Sequence, residues 1–191
     1  MKLILSSCDF SNPDSAQYIH NNLCKPIGEC KVLFFPNEKG LEMSIRNSKY
    51  VKRLMGYGFE KSNIYIFDYS EPEKFIILPL DIIYISGGNT FGTLKRIRDA
   101  HFEGHIIDYV ESGVVYIGGS AGAHIASADI SHVERYDENK VGITDYSGLG
   151  LYKGILICHF TKDREDHLNS LISEGMYPVK ALRDEESITV K

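Results

Sequence analysis

Val114-Val115-Tyr116-Ile117-Gly118-Gly119-Ser120-Ala121-Gly122 is the stretch on which the reading of this chain turns. Four apolar residues predict a buried strand. The next five match the pattern G-x-S-x-G, and Ala121 to about Ala128 predicts a helix. A strand that turns this sharply into a helix holds its turn residue in a strained conformation and pushes that side chain outward. The small neighbours Gly118, Gly119, Ala121 and Gly122 suit the crowding of such a turn. Ser120 then sits at a helix N-terminus, where free N–H groups and the dipole favour developing negative charge. Two readings are open from the pentapeptide alone: an activated serine nucleophile, or a glycine-rich turn that binds phosphate or nothing.

Outward from this turn, strand-like and helix-like segments alternate. Strands are predicted at Lys2–Ser6, Lys31–Phe35, Asn63–Phe67, Asp81–Ser86, Val114–Ile117, Gly154–Cys158, Tyr177–Leu182 and Ser187–Val190. Helices are predicted at Asp14–Leu23, Leu41–Met55, Thr90–Ala100, Gly104–Ser112 and Arg164–Glu174. Most strands read as unbroken apolar runs, as expected of strands buried on both faces. The alternation therefore predicts an α/β fold of three layers, a mostly parallel sheet with helices on both faces. Ligands of such sheets bind beyond the carboxyl ends of the strands. Gly87-Gly88-Asn89, Gly118–Gly122 and His159, which directly follows a central strand, all fall at that edge. The polar stretch from Ser131 to Gly150 is predicted to be a long loop.

A serine nucleophile needs a base within hydrogen-bond reach and gains from a carboxylate that fixes the tautomer of that base. His159 is the expected base. His124, one turn after Ser120, is the competitor, but it lies behind the elbow rather than beside the hydroxyl. Three carboxylates are candidates for the acid: Asp137 in the long loop, Glu134 nearby, and Asp184 after the strand ending at Leu182. The N–H groups of Ala121 and Gly88 are the expected oxyanion donors. Asn89 is expected to cap the helix that follows and to border the substrate. Arg164 opens a helix against the dipole, which suits either a substrate carboxylate or a surface ion pair. His101 and His105 stand four apart, but Gly104 interrupts them and no third ligand is evident, so no metal site is expected.

The bulk properties set limits. The chain has 191 residues, 43% hydrophobic and 25% charged, as expected of one globular domain spanning 1–191. A net charge of −5 argues against a nucleic-acid or anionic-membrane partner. No stretch approaches the ~20 apolar residues of a membrane span. Leu3-Ile4-Leu5 before Ser6-Ser7-Cys8 is too short for a lipoprotein signal, which needs about 7–15 apolar residues. Cys8, Cys24, Cys30 and Cys158 form no C-x-x-C pair, and reduced thiols in the cytoplasm are the expectation.

Together, Ile85-Ser86-Gly87-Gly88-Asn89-Thr90, Tyr116–Ala123 and His159-Phe160-Thr161, followed by Arg164-Glu165, resemble the dipeptidase E and cyanophycinase family of serine peptidases. The resemblance runs in order along nearly the whole chain. It implies a class I glutamine amidotransferase-like, flavodoxin-like fold with serine at the elbow. It also implies Ser120 as nucleophile, His159 as base, and Asp137 ahead of Asp184 and Glu134 as third member. By the same resemblance Arg164 binds the side chain of an N-terminal aspartate, the substrate is a small peptide, and no metal or organic cofactor takes part. The α/β-hydrolase fold shares the elbow, but its histidine follows the last strands, whereas a helix and two strands come after His159. A homodimer is left open by the sequence.

Overall fold

The computed structural model of the chain describes residues 1–37 and 43–191. Its strands are β1 (Lys2–Ser6), β2 (Val32–Phe35), β3 (Ile64–Ile66), β4 (Ile82–Ile85), β5 (Val115–Gly119), β6 (Ile155–Ile157), β7 (Val179–Ala181) and β8 (Ser187–Val190). Its helices are α1 (Pro13–Asn22), α2 (Met43–Gly56), α3 (Thr90–Asp99), α4 (Glu103–Glu111), α5 (Ala121–Ala126) and α6 (Glu165–Glu174). Each predicted segment is therefore an element, with ends shifted by a residue or two. The expected start of α2 at Leu41 lies outside the described residues.

Six strands form the main sheet in the order β3-β2-β4-β5-β1-β8. β1 to β5 are mutually parallel, and β8 lies antiparallel against β1. Alternation along the strands sorts the side chains into two cores. Ile4, Phe34, Tyr84 and Ile117 face Ile19 of α1 and Tyr50 and Leu54 of α2. Leu5, Phe35, Ile85 and Tyr116 face the other way, against Phe91 and Leu94 of α3, Ile106 of α4 and Ile125 of α5. Helices thus cover both faces, giving the three-layer α/β fold expected.

One expectation needs correcting. The strand before His159 is not central: β6 pairs in parallel with β7 alone, in a separate two-stranded sheet. The physical reason is that β1, the last parallel strand, already has β5 on one side and β8 on the other. The small sheet instead joins the core on the α5 side through Leu156, Cys158 and Leu182.

Positions within the main sheet locate a cleft. The helix after β1 packs on one face, while those after β4 and β5 pack on the other. The chain therefore leaves neighbouring strands in opposite directions and opens a crevice at their carboxyl ends. The elbow sits there. Ser120 has φ 46° and ψ −106°, a conformation costing on the order of 1–3 kcal/mol for a residue with a side chain. Two glycines make room for it. A Cβ on Gly119 would enter the Asp9 carboxylate, and one on Gly122 would enter the Ile85 carbonyl.

The second of these contacts is with backbone, so it cannot relax by a rotamer change. Gly122→Ala is expected to lower stability by about 2–4 kcal/mol in urea denaturation. Gly104→Ala, with nothing within 4 Å of the added carbon, should shift stability by less than about 1 kcal/mol. Equal midpoints for the two variants would contradict the packing described.

Candidate active site

Ser120 is held at the crevice by backbone bonds on both sides. Its N–H donates to the Ser6 carbonyl at 2.9 Å, and its own carbonyl accepts from the N–H groups of Ala123 and His124 at 2.9 and 3.0 Å. Its Oγ lies 2.9 Å from Nε2 of His159. The other ring nitrogen, Nδ1, lies 2.7 Å from Oδ1 of Asp184. A carboxylate only accepts, so Nδ1 carries the proton and Nε2 is left to accept from the serine hydroxyl. That hydrogen bond from His159 holds the Asp184 carboxyl below its usual range, against a smaller opposing effect of burial.

His159 owes its place to several fastenings. It has φ 53°, its N–H donates to Ser7 Oγ at 2.6 Å, and the Cys158 carbonyl before it accepts from Arg164. Asp184 sits in the turn between β7 and β8. Its carbonyl accepts from Ser15 Oγ at 3.1 Å, and the same turn takes a bond from the Ser7 N–H to the Glu186 carbonyl.

The place of Asp137 also differs from the expectation. Asp137, expected against His159, lies instead at the start of α3, where Oδ2 accepts from the Thr90 N–H at 2.7 Å. A carboxylate there satisfies a helix donor that has no intrahelical acceptor. Glu134 is engaged elsewhere, accepting from the Tyr146 hydroxyl at 2.5 Å. Asp184, the third candidate, is the carboxylate that meets the ring.

Gly88 and Ala121 lie beside the serine, after β4 and β5. Gly88 borders the cleft with φ +139°, and the N–H of Ala121, first in α5, has no acceptor within its own helix. Asn37 braces the Gly87–Gly88 turn by donating to the Gly87 carbonyl, while its own Oδ1 accepts from the Tyr50 hydroxyl at 3.0 Å. Asn89 caps α3, accepting from the Gly92 N–H, and donates to the Glu138 carbonyl. It does not line the cleft.

Arg164 does not line it either, which corrects its expected place against the substrate. Its guanidinium donates to the Cys158 carbonyl and lies 3.9 Å from the centroid of the Tyr136 ring. Among the described residues the arginine that lines the cleft is Arg53 of α2, which sequence reading missed. Its Nη2 donates to Ser86 Oγ at 2.9 Å, and that hydroxyl donates in turn to Asp9 Oδ2 at 2.9 Å. Its Nε donates to the Tyr57 hydroxyl at 2.7 Å. Ser7, Cys8, Asp9 and Ser11, following β1, complete a cleft of ≈ 400 Å³. His124 lies behind the elbow, buried to the point that its pKa falls to about 3, with Nε2 facing the Cys158 N–H at 3.5 Å. It is a neutral link between α5 and the end of β6, not a base.

The profile of peptidase family S51 matches residues 3–191. An uncharacterized peptidase of Listeria innocua is 32% identical over 125 residues, covering 57% of this chain and 58% of that protein. A peptidase E of Salmonella arizonae is 39% identical over 84 residues, covering 42% and 34%. These matches span less than two thirds of each relative's length. Among solved structures, a Listeria monocytogenes protein provisionally described as peptidase E superposes with a TM-score of 0.76 at 23% identity, over 99% of this chain and 93% of that one. A peptidase from an acI-B1 Actinobacterium gives 0.55 at 17% identity, over 100% and 83%. These two likenesses are of fold. No described helix is long and apolar enough to cross a membrane.

The placement of Asp137 has a measurable consequence. Asp137→Ala removes an acceptor at a helix N-terminus and should cost about 1 kcal/mol in urea denaturation. An unchanged midpoint would contradict the capping role.

Proposed function

This chain belongs to peptidase family S51, and we propose that it is a serine peptidase acting on small peptides with an acidic side chain. The observation that carries the reading is the line from Ser120 Oγ through both ring nitrogens of His159 to Asp184, with spans of 2.9 and 2.7 Å. In this mechanism Ser120 Oγ attacks the peptide carbonyl carbon while His159 Nε2 takes the hydroxyl proton. Asp184 stabilises the imidazolium that forms and keeps the ring turned. The oxyanion of the tetrahedral intermediate accepts from the Ala121 and Gly88 N–H groups. Each such donor is worth about 3–4 kcal/mol in the transition state. His159 then passes its proton to the leaving amine. Water, activated by the same nitrogen, releases the acyl group from Ser120.

The cleft is small, and it is open to solvent beside the histidine. Among the described residues its lining supplies one arginine or lysine, Arg53, oriented by Ser86 and Asp9. A guanidinium fixed this way suits a carboxylate. We therefore assign to Arg53 the recognition expected of Arg164, with a dipeptide bearing an N-terminal aspartate as the first substrate to test. Arg164 positions the histidine loop through the Cys158 carbonyl.

Two experiments test this. A fluorophosphonate should label the wild-type chain and leave Ser120→Ala unlabelled. Asp184→Asn should cut kcat by about 10²–10⁴ with little change in KM, and no labelling between pH 6 and 9 would sink the proposal. On a dipeptide panel, Arg53→Ala should raise KM for acidic substrates by about 10–100-fold and leave neutral ones near wild type. Arg164→Ala should lower kcat on all substrates alike. Equal loss on acidic and neutral substrates in Arg53→Ala would remove the carboxylate role.

A further inference from the structure

We propose that Cys8, His159 and Asp184 form a site for a thiophilic divalent cation of the zinc class, and that filling it switches the hydrolytic site off. The switching half rests on the reading of His159 as the base; the binding half does not. The thiol, the Nδ1 nitrogen and a carboxylate oxygen of these three residues all lie within 4.8 Å of one another. Among the described residues this is the one cluster of three such ligands.

The spacing suits a tetrahedral ion. Zinc bonds of about 2.3 Å to sulfur and 2.0–2.1 Å to nitrogen place those two atoms about 3.5 Å apart. Cys8 Sγ lies 3.8 Å from His159 Nδ1. The nitrogen and the carboxylate oxygen, now 2.7 Å apart around a proton, need to open to about 3.3 Å around a metal. One sulfur, one nitrogen and one oxygen leave the fourth position to water. The side chains of His159 and Asp184 are 41% and 59% exposed, so an ion reaches them from solvent. A thiolate and a carboxylate together balance the ion's double charge. The sulfur and nitrogen donors select zinc, cobalt or cadmium over magnesium and calcium, which take oxygen ligands.

Binding and hydrolysis use the same nitrogen in opposite ways. Hydrolysis requires the proton on Nδ1 and a free electron pair on Nε2. The metal takes the electron pair of Nδ1, the neutral ring keeps its one proton on Nε2, and the Cys8 thiol proton goes to solvent. Nε2 then donates toward Ser120 Oγ and has no electron pair with which to accept its proton. The metal thus fixes the unproductive tautomer without touching the serine. Cys8, which the hydrolytic mechanism leaves unused, acquires a role as sensor.

Cobalt(II) titration of the full chain reads the site directly, because a cobalt–thiolate bond absorbs in the near ultraviolet. One equivalent should produce the band and zinc should bleach it, while magnesium should do neither. Cys8→Ser and Cys8→Ala should abolish the band, Asp184→Asn should weaken cobalt binding by about tenfold or more, and Cys24→Ser should leave it unchanged. No band in the wild type, or a band that survives both Cys8 variants or vanishes in Cys24→Ser, overturns the site. For the switching half, zinc should slow fluorophosphonate labelling of the wild type, and Cys8→Ser should need at least about tenfold more zinc for the same fractional slowing. A cobalt band with zinc-insensitive labelling overturns the inhibition. If the metal-free chain is not labelled, the failure lies with Ser120 as nucleophile, and the cobalt titration still decides the site.

Discussion

The parallel pairing of β1 with β5 is the constraint on which the rest of the site depends. It sets Ser6 opposite Gly119, so the segments leaving the two strands, Ser7 to Asp9 and Ser120 to Gly122, emerge side by side. The Ser6 carbonyl takes the Ser120 N–H, the Ser7 hydroxyl takes the His159 N–H, and the Asp9 carboxylate fills the space a Cβ on Gly119 would need. A slip of one residue would turn every side chain of β1 to the opposite face and break all three at once. The alternating apolar residues of β1, with Ile4 facing α1 and Leu3 and Leu5 facing α5, make such a slip expensive.

The strain at Ser120 is local, but the means of bearing it are spread through the fold. Tyr116, fully buried, donates its hydroxyl to the Gly122 carbonyl at 2.7 Å and so ties the strand before the elbow to the helix after it. Gly122 packs on the Ile85 carbonyl, fixing α5 against β4. Asn37 and Arg96 reach the neighbouring turn from outside, the one through the Gly87 carbonyl and the other through the carbonyl of Asn37. The two turns beside Ser120 are thereby braced from the ends of β2, β4 and β5, and no single loop has to be stiff in itself.

What could be read from the sequence follows the range of the interactions. The elbow was legible because strand, glycines, serine and helix are contiguous, and their conformational demands are local. His159 was legible as a residue directly after an apolar strand, although that strand's place in the sheet was misread. Pairing partners are set by the whole sheet, and nothing in Ile155–Ile157 says that β8 has taken the position beside β1. The carboxylate opposite His159 fell to the same limit. Asp137 and Asp184 are both polar-loop carboxylates, and they differ in which distant segment stands opposite. Arg53 gave no signal at all. It is one basic residue on an amphipathic helix, and it meets the cleft because β2 lies beside β4 rather than beside β1.

The separation of the two sheets has a mechanical meaning. Ser120 and Gly88 follow strands of the main sheet, whereas His159 lies within the β6–α6–β7 unit, directly after β6, and Asp184 comes just after that unit. That unit shares the apolar core on the α5 side but no ladder of strand hydrogen bonds with the main sheet. A segment docked by side chains can open at a lower free energy than the sheet it rests on. Such an opening would part His159 from Ser120 while most of the protein stayed folded. The site is in this sense a joint between two parts, and its integrity reports how well they are seated rather than whether the chain has folded.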